Sequence, residues 1–247
     1  FDFRFIFFIA AIIALTALVP LFFVKEPKVL TNRSGNKFKF SFKTLSPQLK
    51  RFIVIATLFH LANFNFMFFI LKASEVFKSQ INPPYPEFLK FFVTSFGPER
   101  LAIAIPILLY IFFNIFDASL SDPAGHLSDK IGRKPVLTMG YSFFALTSLG
   151  FIFADSFVLF LTFFALYGAF KAFIDANQKA FVSDMSDVEN RATSLGAFET
   201  STGLALVPAG LIAGFLWNLN PAYPFWYGFG GSLVAISLFT FLVKERK

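Results

Sequence analysis

Seven long apolar runs, separated by short polar connections, set the pattern of the chain: residues 5–24, 52–71, 101–120, 136–153, 157–179, 195–217 and 225–243. A helix needs about 20 apolar residues to cross the hydrocarbon of a bilayer, and each run meets or nearly meets that length. Barrel strands would be about half as long and would alternate in polarity, which these runs do not. A helix also satisfies its own backbone polar groups where lipid offers them no partner. The pattern predicts an all-α, polytopic transmembrane helical bundle.

Composition sharpens this reading. Hydrophobic residues make up 56% of the 247 and charged residues 15%, against about 25% charged in a soluble domain. Mean hydropathy is +0.66. A soluble surface would need a polar coat, and the charges here sit in clusters between the apolar runs. Phenylalanine occurs 41 times and is expected mainly as lipid-facing filler. Cysteine is absent and histidine occurs twice, at His60 and His126. Disulfides, thiolate chemistry and a multi-histidine metal site are therefore not expected, and no cofactor is implied.

Lysine and arginine in the connections orient the bundle, because cytoplasmic connections carry the excess. The connection 25–51 contains Lys25, Lys28, Arg33, Lys37, Lys39, Lys43, Lys50 and Arg51. Lys130, Arg133 and Lys134 follow the third run, Lys179 and Arg191 the fifth, and Lys244, Arg246 and Lys247 the seventh. The turns 154–156 and 218–224 have no basic residue, and the four of 72–100 are offset by Glu75, Glu87 and Glu99. The C-terminus is thus expected in the cytoplasm and the N-terminal end outside. The net charge of +7 is then a topology signal that also suits anionic headgroups. Nucleic acid is not an expected partner.

The third and fourth runs are joined by Gly125-His126-Leu127-Ser128-Asp129-Lys130-Ile131-Gly132-Arg133-Lys134. It is expected as a tight, charged cytoplasmic turn. Gly125 and Gly132 permit close approach or positive φ. Asp129 can accept from Arg133 or cap a helix, and Lys130, Arg133 and Lys134 are expected to anchor the turn at the headgroups. An ordinary basic loop would explain the lysines and arginine but not this spacing of Gly, Asp and Gly. The segment resembles the signature loop of the major facilitator superfamily. A second stretch agrees: Asp175-Ala176-Asn177-Gln178-Lys179-Ala180, Val182-Ser183-Asp184, Arg191-Ala192-Thr193 and Pro208-Ala209-Gly210 are similar to the tenth and eleventh helices of a prokaryotic branch of that superfamily. The resemblance implies that the first run is the sixth of twelve helices and the others the seventh to twelfth. The expected organisation is therefore the last helix of an N-terminal half at 1–24, a cytoplasmic linker at 25–50 and a C-terminal six-helix half at 51–247. The missing N-terminal half then becomes a partner of this segment, together with the bilayer.

Polar residues inside the runs are costly and should face a cavity or a partner. Lys171 and Asp175 lie one turn apart, with Tyr167 and Gln178 extending their face. They read as a structural ion pair or as part of a pathway. Tyr110, Asn114, Asp117 and Ser121 form a second stripe, and Thr57, His60 and Asn63 a third. Asp117 has no neighbouring cation in sequence, which makes it the preferred proton carrier. Glu199 reads as a capping, snorkelling or pathway residue. His60 reads as a relay or as a hydrogen-bonded core residue. Gly196, Gly203 and Gly210, seven apart, and then Gly214 form a small-residue face suited to close helix packing.

The function expected is secondary active transport of a small solute by alternating access, coupled to protons, at the cell membrane. The chain has no Gly-rich Lys nucleotide motif and no recognisable catalytic set, so it is not read as an enzyme. A seven-helix receptor or photoreceptor is the competing reading. It lacks a Schiff-base lysine in the last run.

Overall fold

The structure, a computed structural model, describes residues 45–79 and 97–243, with residues 8, 15, 16 and 95 outside those runs. The expected first span, apart from 8, 15 and 16, lies outside the described residues, as does the connection 25–44. The chain divides into two compact units, Phe1–Lys39 and Phe40–Lys247, so the division falls within 25–50. In the first unit residues 8, 15 and 16 are helical, and Phe8 and Leu15 are exposed.

In the second unit the described helices are α1 (Pro47–Ala62), α2 (Met67–Ser79), α3 (Pro98–Ile131), α4 (Arg133–Phe153), α5 (Phe157–Asp184), α6 (Arg191–Leu219) and α7 (Tyr223–Leu242). A 3₁₀ turn, Val188–Asn190, precedes α6. No strand occurs among the described residues. Among the described residues six stretches are long and apolar enough to cross a membrane: Pro47–Lys78, Ala104–Ile131, Arg133–Phe153, Phe157–Asp184, Val188–Leu219 and Tyr223–Leu242. The chain is a multi-pass, all-α membrane protein.

Two expectations need correction. The run 52–71 is not one helix, because α1 ends at Ala62 and α2 begins at Met67. Asn63 and Asn65 explain the interruption, since asparagine side chains compete with the helical backbone for hydrogen bonds. Asn65 Oδ1 accepts from the Met67 amide at 2.9 Å and so starts α2. The signature segment is also not a loop. Residues 125–131 form the last turns of α3, a helix of 34 residues and roughly 50 Å, which outruns the hydrocarbon thickness. Only Gly132 stands between α3 and α4, at φ +96°. Its amide bonds the Ser128 carbonyl at 3.0 Å, and a residue with a side chain would be strained there.

The core also differs from the expected lipid-facing phenylalanines. Phe52, Phe59, Phe69, Phe144, Phe151 and Phe170 are all fully buried and packed ring against ring. Phe59 stands 4.2 Å from the Tyr141 ring, Phe52 4.7 Å from Phe181, and Phe69 4.7 Å from Phe151. Dispersion and edge-to-face contacts between such rings supply packing energy that the hydrophobic effect cannot supply between helices in lipid.

Backbone and side chains pack closely where α3 meets α5. A Cβ at Gly168 would stand 2.6 Å from the Phe113 carbonyl and 2.7 Å from Phe116 Cβ. Gly168→Ala should therefore force the helices apart and cost about 1–3 kcal/mol, read as a lower unfolding temperature of the purified protein. Gly230 meets nothing within 4 Å, and Gly230→Ala should leave that temperature unchanged or raise it, alanine being about 1 kcal/mol the better helix former.

Candidate functional site

Charged and polar residues of α1, α3, α5 and α6 gather on one side of the bundle. On α5, Lys171 Nζ lies 2.7 Å from Asp175 Oδ2. Two turns further on, Lys179 Nζ reaches across to Glu199 Oε1 of α6 at 3.0 Å. Asp117 of α3 lies within electrostatic reach of both Lys171 and Asp175. Among the described residues Asp117 makes no ion pair. Its Oδ1 accepts a long bond, 3.4 Å, from the Ser121 hydroxyl of the next turn. Asp175, Lys179 and Glu199 are more than half exposed in this chain. Charge inside an apolar span is costly against lipid and calls for a cavity or a partner.

Behind this face runs a buried polar chain. His60 Nε2 is 3.2 Å from Gln178 Oε1, and Gln178 Nε2 donates to the Tyr141 hydroxyl at 2.9 Å. With the amide nitrogen directed to Tyr141, Gln178 Oε1 faces the ring nitrogen of His60. The chain ties α1, α4 and α5 together. Thr57 bonds its own backbone at Ile53 O, 2.7 Å, and Asn114 bonds Tyr110 O at 2.7 Å. Asn63 is the C-terminal cap of α1. Above Asp117 the rings of Phe66 and Tyr110 stack at 5.1 Å, and Phe113 meets Tyr167 at 5.2 Å.

A second cluster centres on Arg133. Its Nη2 lies 3.1 Å from Asp129 Oδ1 and its Nε 3.1 Å from Asp184 Oδ2. Nη1 donates to Ser128 Oγ at 3.1 Å and to Asn177 Oδ1 at 3.4 Å. The guanidinium fork makes this possible, since lysine has no planar set of donors. Lys134 turns the other way, donating to the Thr240 and Val243 carbonyls at 2.8 and 2.7 Å. It thus caps the C-terminal end of α7, where a cation is favoured. Gly125 is helical and meets nothing within 4 Å, and Lys130 is exposed. A Cβ at Gly196, Gly203, Gly210 or Gly214 would meet nothing within 4 Å among the described residues, so this face of α6 is open.

A family model described as Major Facilitator Superfamily matches residues 81–247. The chain belongs to the major facilitator superfamily. It is 46% identical, over 92% of its length, to an uncharacterized MFS-type transporter of Methanocaldococcus jannaschii, of which it covers 53%. It is 29% identical to multidrug resistance protein 1 of Bacillus subtilis, over 54% of this chain and 35% of that one. It is 25% identical to the class B tetracycline resistance protein of Escherichia coli, over 68% of this chain and 40% of that one. The chain thus spans about half or less of the length of these relatives. Membership in this superfamily sets the receptor reading aside.

Sequence reasoning found the charged face but missed several of its partners. Asp184 lies 51 residues from Arg133, and nothing in the spacing pairs them. Tyr141 is one tyrosine in an apolar run. The acceptors of Lys134 are backbone atoms, which no side-chain pattern reveals. Arg133→Lys keeps the charge but offers one nitrogen in place of three, and deprives the buried Ser128 and Asn177 of a donor. It should cost about 1–3 kcal/mol, read by thermal unfolding. Asp129→Asn, at a well-exposed carboxylate, should cost less than about 1 kcal/mol.

Proposed function

We propose that this segment is the C-terminal half, with the helix before it, of a secondary active transporter that moves a small solute by alternating access, coupled to protons. The supporting observation is the contrast among the charges on the open face. Lys171 is paired with Asp175 and Lys179 with Glu199, while Asp117 has no cation at ion-pair distance among the described residues. An ionised carboxylate at such a depth costs about 2.5–3.5 kcal/mol on insertion scales. Taking up a proton removes that cost, so Asp117 can carry a proton through the membrane, whereas a paired carboxylate is already compensated. His60, Asn63, Tyr110, Asn114 and Gln178 line the route beside it.

On this reading the other half of the protein covers the open face. Residues 25–50 link the halves on the cytoplasmic side, the C-terminus is cytoplasmic, and Gly196, Gly203, Gly210 and Gly214 pack against helices of the other half. The protein sits in the cell membrane. Two relatives are named for drug and tetracycline resistance, and the contacting rings of Phe66, Tyr110, Phe113 and Tyr167 include one, Tyr167, within electrostatic reach of Asp175 and Asp117. An aromatic cation such as ethidium is therefore the first solute to test.

The test is flux through the full-length protein in liposomes with an imposed pH gradient. Gradient-driven ethidium movement is expected from the wild type, and its sidedness gives the direction of transport. Asp117→Asn should abolish the gradient response while ethidium–ethidium exchange persists. Wild-type flux indifferent to the gradient removes the proton coupling.

A further inference from the structure

One lysine on the open face lies between two carboxylates. Lys171 Nζ meets Asp175 Oδ2 at 2.7 Å, with the lysine four residues ahead of the acid on α5. That order is the weaker of the two for an i,i+4 ion pair. The Asp175 side chain is more than half exposed, and pairs so exposed to water hold weakly. Long helical side chains lean back toward the helix N-terminus, which for Lys171 is the turn of Gly168. There a Cβ would stand 3.1 Å from the Asp117 amide nitrogen, so α3 touches α5 at Asp117. The levels of Gly168 and Asp175 lie roughly 10 Å apart along α5, and Lys171 is nearly midway. It is placed to reach forward to Asp175, as seen here, or back to Asp117, which is already within its electrostatic reach.

The other titratable groups around this set have partners of their own. Glu199 of α6 is held by Lys179 at 3.0 Å. His60 of α1, within reach of Lys171, Asp175 and Glu199, has its Nε2 facing Gln178. Tyr141 of α4 accepts from the same glutamine. Tyr167 of α5 is buried, packs on Phe113 and lies within reach of both acids. Asp117 is the poorly served member. The Ser121 hydroxyl divides its one hydrogen between the Asp117 carbonyl at 2.8 Å and Oδ1 at 3.4 Å. Lys171, Asp175 and Asp117 thus form a set with one carboxylate in excess, which a single proton makes neutral.

We propose that Lys171 serves the two carboxylates in turn, and that Asp175 is a second proton site, which receives the proton of Asp117 as the lysine crosses the other way. In the arrangement seen here Asp175 is ionised against Lys171, and Asp117 is the member that holds the proton. In the other, Lys171 pairs with Asp117 and Asp175 holds the proton. One O–H bond breaks on Asp117, one forms on Asp175, and water on the open face carries the proton between them. The set is neutral before and after, so neither arrangement leaves a lone charge in the apolar span. The proton advances toward the 179–184 end of α5. Lys171 touches no solute in this step and acts as a positioning residue. The inference rests on the proton-coupled reading above and adds to it the acceptor of the proton and the cation that releases it.

The test uses the full-length protein in liposomes and reads the ratio of gradient-driven ethidium flux to ethidium–ethidium exchange. Loss of a merely structural pair lowers both and leaves the ratio in place. Asp175→Asn should lower the ratio about tenfold or more, the effect of a proton left without its acceptor in the span. Lys171→Gln should lower it likewise, and Lys171→Arg, which keeps the cation, should retain most of it. The decisive variant combines Lys171→Gln with Asp175→Asn. A neutral pair in place of an ion pair is well tolerated in folding, so its unfolding temperature should hold, yet its ratio should fall as far as that of Asp175→Asn alone. A structural pair predicts instead that the double variant is the better coupled of the two. A double variant with the wild-type ratio, or Lys171→Gln as well coupled as the wild type, overturns the relay. A coupled wild type beside a coupled double variant removes the relay alone, whereas wild-type flux indifferent to the gradient removes the proton coupling proposed above and the relay with it.

Discussion

Lipid cannot hydrogen-bond, and this constraint governs every irregular point of the protein. Within a helix the backbone meets the demand itself. At several ends and breaks the demand passes to a side chain. Ser46 accepts from the Leu49 amide where α1 begins, Asn65 starts α2, Tyr227 closes the end of α1 and Lys134 closes the end of α7. Tyr227 and Lys134 come from elements distant in sequence, so at those two ends satisfying the backbone also joins one helix to another.

The apolar contribution follows a related logic. Between helices in lipid, close contact has to replace the exclusion of water. The chain uses large rings where space is available, as in the cluster of Phe59, Tyr141 and Phe144. It uses glycine where backbones meet, as at Gly168 against α3. Ion pairs hold the open face, as at Lys171–Asp175 and Lys179–Glu199, and the Arg133 cluster, while Lys134 closes a helix terminus.

Much of this was legible from residue order. Apolar runs near 20 residues gave the spans after the first closely, because length and hydropathy are one-dimensional quantities. The fold class followed from the same runs, and the Gly-Asp-Gly-Arg spacing pointed to the family before any geometry was known. The i,i+4 pair Lys171–Asp175 could be read from helical periodicity. The break after Ala62 was not read, although Asn63 and Asn65 signalled it, because the surrounding run is apolar enough to hide a turn. The helical character of 125–131 was missed because glycine and charge suggest a loop, whereas a helix leaving the hydrocarbon carries the same residues. The pairs Lys179–Glu199, Arg133–Asp184 and His60–Gln178 depend on how helices are juxtaposed, which a single sequence does not encode in its spacing.

The clasp of Lys134 on α7 also has a meaning in time. Lysine and acceptors are separated by more than a hundred residues, and the carbonyls of Thr240 and Val243 belong to the end of the described chain. During synthesis the fourth helix is made well before them. Until residues 240 and 243 leave the ribosome, the ammonium of Lys134 lacks both of these acceptors. The clasp therefore closes only after the seventh helix has been made, so that helix order along the chain becomes an order of assembly.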